Sequence, residues 1–346
     1  MAQLFTDILE KISRSENLTD EEASAALKLI LNGDISSEEV AGFLISMRMK
    51  GETVEELTSF VKVMRDHAVK VEVDTTNAVD LCGTGGDKSG TFNISTAAMF
   101  VVAGAGVPVL KHGNRSVSSK SGSYDVLESL GAVPNLHKEE VEKLFNETGM
   151  AFMFAPNFHP ALRYVMPARR ALKMRTFFNM LGPLLNPADV KHQFVGAFSK
   201  DSAGIMIQIL GNLHTENAYS VNSHDGLDEV SLSSQCEIFE LENRVTGNSI
   251  TFDPESLGYT KVDLDLLKGG DAADNAEIIK RILNGTSTEA QRNIVEMNAA
   301  FGIRVSNITD NLEIAREMAV KSIDSGEALR KLNLFIDESQ KISGEF

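Results

Sequence analysis

The chain has no tryptophan, only two cysteines among 346 residues, and far fewer basic than acidic side chains. Cys82 and Cys236 are too far apart to form a metal-binding cysteine motif, and free thiols are typical of a reducing compartment. The formal net charge of -16 argues against general nucleic-acid binding, which normally requires a basic surface. Because no run of 18 apolar residues occurs, the sequence also predicts no membrane-spanning helix.

Charge along the chain is unevenly distributed. Residues 150–200 carry seven Lys or Arg side chains and one Asp, whereas the remainder is acidic. Such a basic segment is compatible with an anionic small-molecule ligand. The first 14 residues place Asp7, Glu10 and Lys11 within a helical pattern, which differs from a secretory signal peptide, so we expect a cytoplasmic protein.

Local signals divide the chain into a helical beginning and an alternating remainder. Capping boxes at residues 19–22, 36–39 and 53–56, with a helical pattern over residues 3–14, predict four short helices. From residue 78 onward, short apolar strands alternate with helices, which predicts an α/β domain with a mainly parallel sheet. Strands are expected at 78–82, 107–110, 151–154, 194–198 and 218–221, antiparallel additions at 236–241 and 249–252, and helices at 93–103, 138–147, 202–213 and repeatedly over 272–340.

Two polar, glycine-rich runs follow the first two predicted strands. We call residues 83–96 the first polar run and residues 111–123 the second polar run. Glycine lets the backbone approach an anion, Asn, Ser and Thr donate hydrogen bonds, and Lys and Arg add positive charge. Such segments make a poor core, so together they predict a site for a phosphorylated ligand.

The first polar run does not match either common nucleotide-binding motif. Counted from Gly83, the sixth position of a G-x-G-x-x-G fingerprint is Lys88, and a P-loop would need glycine where Asp87 stands. Asp87 would repel a bare phosphate, so we expect it to face ribose hydroxyls or water on a metal. Residues 93–96 begin a predicted helix, whose free N–H groups favour a phosphate. An ordinary turn followed by a simple N-cap is the alternative.

An acidic cluster at residues 225–229 follows the strand predicted at 218–221. The carboxyl ends of parallel strands form the edge at which α/β sheets usually bind ligands. Adjacent carboxylates there suit a Mg²⁺ ion shared with a diphosphate. Considered alone, the cluster is better interpreted as a solvated acidic turn, and it is the anion site predicted nearby that favours the metal.

The order of these motifs resembles that of the anthranilate phosphoribosyltransferase family over nearly the whole chain. Further matching segments are residues 158–161, 175–176, 178–179, 181–184, 186–187 and 268–271. The resemblance implies transfer of the phosphoribosyl group of phosphoribosyl pyrophosphate (PRPP) to the amine of anthranilate, in tryptophan biosynthesis. It also implies a homodimer formed through a small all-helical domain, beside a larger α/β domain with a central, mainly parallel sheet flanked by helices. The expected boundaries are 1–72, joined by helices from about 169–188, for the small domain, and 73–168 with 189–346 for the large one.

The same resemblance implies roles for individual residues. Anthranilate would contact Gly83, Asn114 and Arg169, with Arg169 supplying a cation for its carboxylate. One or two Mg²⁺ ions would be held by Ser95, Asp228 and Glu229. No dedicated nucleophile or general base is expected, because the aniline nitrogen attacks unprotonated. PRPP would be bound by Gly83, Gly86, Asp87, Thr91, Asn93, Ile94, Ser95, Thr96, Lys111, His112, Gly113, Asn114, Arg115, Ser116, Val117, Ser118, Ser119 and Ser123.

The sequence departs from the family pattern at two places. Lys173 stands where the family usually has glycine, and we expect its bulk to alter the acceptor pocket or a hinge. Asn222 and Ser223 replace the usual His-Gly before the acidic cluster. Two other functions fit parts of the sequence. A pyrimidine nucleoside phosphorylase also works at ribose C1 but needs no paired metal acids, and a non-catalytic relative could bind nucleic acid through the basic segment.

Overall fold

The computed structural model describes residues 2–87, 89–116 and 120–344. Its first part is a group of four helices, as predicted. These are α1 (Ala2–Ser13), α2 (Asp20–Asn32), α3 (Ser37–Lys50) and α4 (Val54–Asp66).

All three predicted capping boxes are present in this helical group. The side chains of Thr19, Ser36 and Thr53 each accept a hydrogen bond from the backbone nitrogen three residues later. The glutamate carboxylate at that later position accepts one from the backbone nitrogen of the capping residue. Helix α2 ends at Gly33, whose φ of 79° lies in the left-handed region that glycine adopts without strain. The starts of these helices are therefore decided locally, by side chains next to the free N–H groups.

The remainder of the described chain alternates between strands and helices around one sheet. The strands are β1 (Val79–Gly83), β2 (Val109–Gly113), β3 (Met150–Phe154), β4 (His192–Gly196), β5 (Asn217–Ser223), β6 (Cys236–Glu242), β7 (Val245–Thr246) and β8 (Ile250–Phe252). Their order is β3-β2-β1-β4-β5-β6-β7, with β8 also beside β6. Strands β1 to β5 pair in parallel and β6 to β8 pair antiparallel, which confirms the predicted sheet.

Helices cover both faces of this sheet. They are α5 (Ile94–Gly104), α6 (Ser123–Leu130), α7 (Lys138–Thr148), α8 (Ala155–Phe158), α9 (Met166–Leu172), α10 (Phe178–Leu181), α11 (Lys200–Gly211), α12 (Ala272–Leu283), α13 (Glu289–Val305), α14 (Leu312–Asp324) and α15 (Glu327–Ser343). Short 3-10 turns lie at Pro160–Tyr164, Gly182–Leu184, Pro254–Leu257 and Leu264–Leu267.

Two hydrophobic clusters fill the interior, and the alternation of side chains along β4 separates them. Phe194 packs in one cluster with α5, α13 and α15, whereas Val195 packs in the other with α11 and the helical group. Successive strand residues point to opposite faces, so each face of the sheet carries its own core. Helices α9 and α10 contribute Ala168 and Leu181 to the cluster of the helical group.

Strand β2 and helix α6 differ from the prediction. The strand was expected at 107–110 but runs from Val109 to Gly113, so it includes Lys111 and His112. Both side chains are buried. Burial of Lys111 is possible because its amino group has polar partners inside the protein. Helix α6 was not predicted, since its start lies within the second polar run. Asp125 supplies its cap by accepting a 2.9 Å hydrogen bond from the nitrogen of Gly122.

Candidate active site

The candidate site lies where β1 and β4 end side by side. From β1 the strand order runs outward through β2 to β3 on one side, and from β4 to β5 on the other. This reversal is the topological switch point at which α/β sheets usually bind ligands. Both strands end in glycine, at Gly83 and Gly196. A Cβ at Gly83 would lie 2.5 Å from Oδ2 of Asp228, and a Cβ at Gly196 would lie 1.6 Å from its backbone oxygen. The paired glycines therefore leave the space that Asp228 occupies.

The two acids that follow β5 connect the elements of the first polar run. Oδ2 of Asp228 accepts a 2.7 Å hydrogen bond from the nitrogen of Gly85. Oε1 of Glu229 accepts one of 3.3 Å from the nitrogen of Ser95, in the first turn of α5. The structure thus brings the predicted metal residues Ser95, Asp228 and Glu229 together at the switch point.

Lys111 places a buried ammonium group beside these residues. Its Nζ donates a hydrogen bond to the backbone oxygen of Leu81 and another, of 3.2 Å, to Oγ of Ser95. The neighbouring His112 has its ring centre 5.2 Å from that of His159, and both rings are buried. Successive side chains of β2 point to opposite faces of the sheet. Lys111 therefore reaches the site, whereas the ring of His112 lies on the other face and packs against His159.

Acidic side chains outnumber basic ones at the site. Burial, together with the smaller effect of the charge of Asp87, raises the pKa of Asp228 to about 6. Burial raises the pKa of Glu229 well above its usual value, and the charges of Asp228 and Asp87 add to this. Lys111 opposes both increases, although burial lowers its own pKa. Crowded carboxylates with one buried ammonium nearby form a site that favours an additional cation.

The oxygen donors at this place fit a Mg²⁺ ion. Within the described ranges, no third His, Cys, Asp or Glu joins Asp228 and Glu229 in a metal-ligand cluster. Two carboxylates and the hydroxyl of Ser95 are the hard ligands that Mg²⁺ prefers, and the ion usually completes its shell with water and substrate phosphate.

The start of α5 presents its backbone to the site. Asn93 occupies the N-cap position, but its side chain makes no capping hydrogen bond. Ile94 and Thr96 point into the core, and the hydroxyl of Thr96 has no hydrogen-bond partner among the residues described. Thr91, just before the helix, forms an antiparallel bridge with Lys268. The backbone nitrogens of residues 94–97 already donate hydrogen bonds within the protein, to the oxygens of Phe92 and Asn93 and to Glu229. This segment therefore offers an anion the positive end of the α5 dipole, and direct N–H contacts to a ligand would replace some of these bonds.

In the second polar run, the charged side chain pairs with its own surroundings. The guanidinium of Arg115 bonds Asp125 at 2.9 Å and Glu128 at 3.3 Å, and lies 3.8 Å from the ring centre of Tyr124. The nitrogen of Ser116 donates to the same aspartate at 3.1 Å. In this structure the side chain of Arg115 is held by α6 and not by the acidic residues of the site. The predicted ligand residues Val117, Ser118 and Ser119 lie outside the described residues.

The other predicted residues of this run lie where β2 passes into α6. A Cβ at Gly113 would lie 2.4 Å from Oγ of Ser123, so only glycine fits there. The backbone oxygen of Asn114 accepts a 3.4 Å hydrogen bond from the same hydroxyl. The side chain of Asn114 is exposed, with Oδ1 accepting from the nitrogen of Arg115 at 2.7 Å.

Arg169 lies on α9, which packs against α3 of the helical group. Its guanidinium carbon is 5.5 Å from the ring centre of Phe178, and burial lowers its pKa. In the part of the chain that the structure describes, no carboxylate forms an ion pair with it. A half-buried guanidinium without a counter-ion is suited to the carboxylate of a ligand.

The two departures from the family pattern have clear structural positions. Lys173 ends α9 with a φ of 49°, in the left-handed region that favours glycine, and its side chain is exposed. Asn222 donates a 2.8 Å hydrogen bond to the oxygen of Ala197, and Ser223 donates one of 2.6 Å to the backbone oxygen of Glu229. Ser223 therefore supports the acidic loop directly, whereas Asn222 joins β5 to the residue that follows β4.

Sequence reasoning assigned no role in the site to Arg175, which the structure places beside it. Its guanidinium donates to the backbone oxygen of Gly86, and its own backbone oxygen accepts a hydrogen bond from Arg48 of α3. The helical group is thereby connected to the first polar run. The basic segment at 150–200 and the matching segment 175–176 both pointed to this residue, but neither indicated its partners.

Comparison with known proteins agrees with this geometry. Residues 6–68 match the model of the glycosyl transferase family, helical bundle domain, and residues 75–329 match that of its a/b domain. A curated anthranilate phosphoribosyltransferase from Salinibacter ruber is 45% identical over 341 residues, covering 98% of this chain and 99% of that protein. The chain belongs to the anthranilate phosphoribosyltransferase family.

Solved anthranilate phosphoribosyltransferases share the whole fold. The crystal structure of the Thermus thermophilus enzyme has a TM-score of 0.90 and 33% identity, covering 96% of this chain and 99% of that one. A Saccharomyces cerevisiae enzyme in complex with PRPP and Mg has a TM-score of 0.90 and 27% identity, with 97% and 98% covered. These likenesses confirm the predicted fold class. Among the described residues, no helix is long and apolar enough to span a membrane.

Proposed function

We propose that the protein transfers the 5-phosphoribosyl group of PRPP to the amine of anthranilate, giving N-(5-phosphoribosyl)anthranilate and diphosphate in tryptophan biosynthesis. The observation that carries the proposal is the convergence of Asp228, Glu229 and Ser95 at the switch point of this family's fold. The complex of the yeast relative with PRPP and Mg supports the same donor and ion.

The donor half of the proposed site is formed by the two polar runs. The positive end of the α5 dipole, together with the ammonium of Lys111, attracts the diphosphate of PRPP. Ser95, Asp228 and Glu229 hold one or two Mg²⁺ ions, which neutralise charge on the departing diphosphate when bound. The remaining predicted PRPP residues keep that proposed role, including those outside the described ranges.

The acceptor half of the proposed site is centred on Arg169. Its unpaired guanidinium binds the carboxylate of anthranilate, while Gly83 and Asn114 contact the rest of the ring system. This arrangement directs the aromatic amine toward the end of β1, next to the donor half. Arg169 belongs to an element packed on the helical group, so the acceptor carboxylate and the donor diphosphate are held by different parts of the fold.

The chemistry then requires alignment more than a reactive side chain. The amine nitrogen attacks C1 of the ribose as the bond from C1 to the diphosphate oxygen breaks, with inversion. The nitrogen loses its proton after the new bond forms, so no strong general base is needed. Holding both reactants in line can supply about 7 to 11 kcal/mol of the barrier reduction. Closure of the helical domain over the cleft excludes water, the competing nucleophile.

The domain boundaries, assembly and location belong to the same proposal. A small domain of residues 1–72 with 169–188 faces a large domain of 73–168 with 189–346. The small domain forms a homodimer in the cytoplasm. Helices α9 and α10 pack in the same hydrophobic cluster as the helical group, which supports assigning residues 169–188 to the small domain; that cluster continues onto one face of the sheet through α11. Light scattering of the purified protein measures the assembly directly, and a monomer would contradict it.

A fluorescence assay tests the reaction. With Mg²⁺, the purified protein is expected to lower the fluorescence of anthranilate only when PRPP is present. Ribose 1-phosphate with a pyrimidine base, tested in parallel, reports phosphorylase activity. A folded protein that leaves anthranilate unchanged under these conditions would overturn the substrate assignment.

A further inference from the structure

The segment 267–270 packs directly against the first polar run. It includes most of the family-matching segment 268–271, to which the sequence assigned no role. The nitrogen of Gly269 donates a 2.9 Å hydrogen bond to the oxygen of Gly90, and the nitrogen of Phe92 donates one of 3.2 Å to the oxygen of Leu267. A Cβ at Gly269 would lie 2.7 Å from Cα of Phe92. The two segments therefore meet backbone to backbone, which a side chain at position 269 would prevent.

A buried asparagine extends this contact to the start of α5. Asn275, in the first turn of α12, is 2% exposed. Its Oδ1 accepts a 2.8 Å hydrogen bond from the nitrogen of Gly270, and its Nδ2 donates one of 3.0 Å to Oδ1 of Asn93. Nδ2 of Asn93 then donates a 3.2 Å bond to the backbone oxygen of Ser121. Three segments are thus joined by one chain of hydrogen bonds.

The ends of this chain determine the orientation of both amides. The backbone nitrogen of Gly270 can only donate, so the oxygen of Asn275 must face it. The amide nitrogen of Asn275 then requires an acceptor, which is the oxygen of Asn93. This leaves the nitrogen of Asn93 for Ser121, whose backbone oxygen can only accept. Each member is satisfied in one arrangement, so the network specifies a single geometry.

We propose that Asn275 is a positioning residue for the PRPP half of the site. The inference rests on the proposed function, because it assigns a task to a residue outside the ligand-binding set. Asn93 directly precedes α5, whose first turn contains Ser95, and Ser121 lies in the second polar run. By bonding Asn93, Asn275 fixes the distance between these two runs. Less conformational entropy is then lost when PRPP binds.

Steady-state kinetics of Asn275→Asp test this role. The aspartate keeps an oxygen for the nitrogen of Gly270 but presents a second oxygen to Oδ1 of Asn93, where repulsion replaces the hydrogen bond. We expect the KM for PRPP to rise about ten-fold, which corresponds to the loss of one buried hydrogen bond, while the KM for anthranilate changes less than about two-fold.

A double-mutant cycle separates positioning from general destabilisation. If Asn275 acts through Asn93, Asn275→Asp should raise the KM for PRPP by less than about two-fold when Asn93→Ala is already present. Asn217→Asp is the matched control. This asparagine is also buried and joins separate segments, bonding His192 and the nitrogen of Asn243, but it begins β5 at the opposite end of the strands. It should lower the Tm without changing the KM for PRPP.

The outcomes distinguish this inference from the function on which it rests. An unchanged KM for PRPP in Asn275→Asp, a fall in Tm alone, or additive effects in the cycle would overturn the positioning role. If Asn275→Asp does not fold, Asn275→Ala, which also lacks the donor, is measured by the same criteria. If folded wild-type protein does not convert anthranilate, the proposed function fails. Calorimetric binding of PRPP with Mg²⁺ to wild type and variant then decides the positioning role, with the same ten-fold change expected.

Discussion

A Cβ atom at Gly83 would lie 2.5 Å from Oδ2 of Asp228, so the end of β1 and the acidic loop share a space that only glycine leaves free. The same carboxylate oxygen accepts the hydrogen bond from Gly85, two residues further along. The position of Asp228 is therefore set by the backbone of the first polar run, and one added methyl group should displace it.

Gly83→Ala is expected to reduce activity at least ten-fold and to lower the Tm, because the alanine methyl and the Asp228 carboxylate cannot both keep their places. Activity at increasing Mg²⁺ concentration and thermal unfolding check both effects. Gly42→Ala is the control, since nothing lies within 4 Å of a Cβ there and Gly42 is inside α3. It should retain activity with an equal or higher Tm. Equal behaviour of the two variants would contradict the steric argument.

Asp228→Asn and Glu229→Gln should each lower kcat/KM by about 100-fold or more at fixed Mg²⁺, because each removes a charged oxygen ligand. Titration with Mg²⁺ should show that saturation requires more ion. Asp225→Asn is the matched control from the same acidic cluster. Its Oδ2 accepts a 2.6 Å hydrogen bond from Ser231 within its own loop. If this control lost as much activity as the other two, the metal would not be specific to Asp228 and Glu229.

Arg169→Ala should raise the KM for anthranilate at least ten-fold and leave the KM for PRPP within about three-fold, since a charge-assisted bond to one substrate is lost. Arg170→Ala removes the same group from the exposed next position and should change neither constant much. Initial rates with each substrate varied in turn measure both values. An unchanged KM for anthranilate in Arg169→Ala would place the acceptor carboxylate elsewhere.

Stability should fall in acid partly because of His159. Burial lowers its pKa to about 4, while the hydrogen bond from Nε2 to the oxygen of Leu185 opposes the shift. The folded-state pKa is thus below the ordinary value of about 6.5, so protonation favours the unfolded chain. This contribution is complete above about pH 6.5 and is lost as pH falls through about 4, by roughly 3 kcal/mol in total.

His159→Gln tests this pH dependence, because glutamine can still donate to the Leu185 oxygen but does not titrate. Urea unfolding at about pH 7 and about pH 4.5 should show a smaller loss of unfolding free energy in the variant than in wild type. Burial, and next the charge of His159, lower the pKa of the neighbouring His112, so the two histidines are coupled and the comparison is repeated in a His112→Gln background. Equal losses in the two proteins would contradict the assignment.

The helix starts and the choice of fold could be predicted because their causes are local. Thr19 and Glu22 are three residues apart, and their reciprocal capping bonds need no other part of the chain. The strand that carries Lys111 was placed too early, since a lysine normally argues against a buried strand. Its partners Leu81 and Ser95 are distant in sequence, so only the folded chain shows that its charge is satisfied.

The sequence by itself determined which groups are present: the glycines, the first-turn donors, the paired acids and an excess of cations near Arg169. Tertiary structure decided which of these meet. Glu229 reaches the nitrogen of Ser95 across 134 positions, and Asn275 reaches Asn93 across 182. Such contacts depend on the order of strands in the sheet and on the space left by residues such as Gly196. Local pattern carries no information about either, because hydrogen bonds and steric exclusion act over a few ångströms of space and not along the chain.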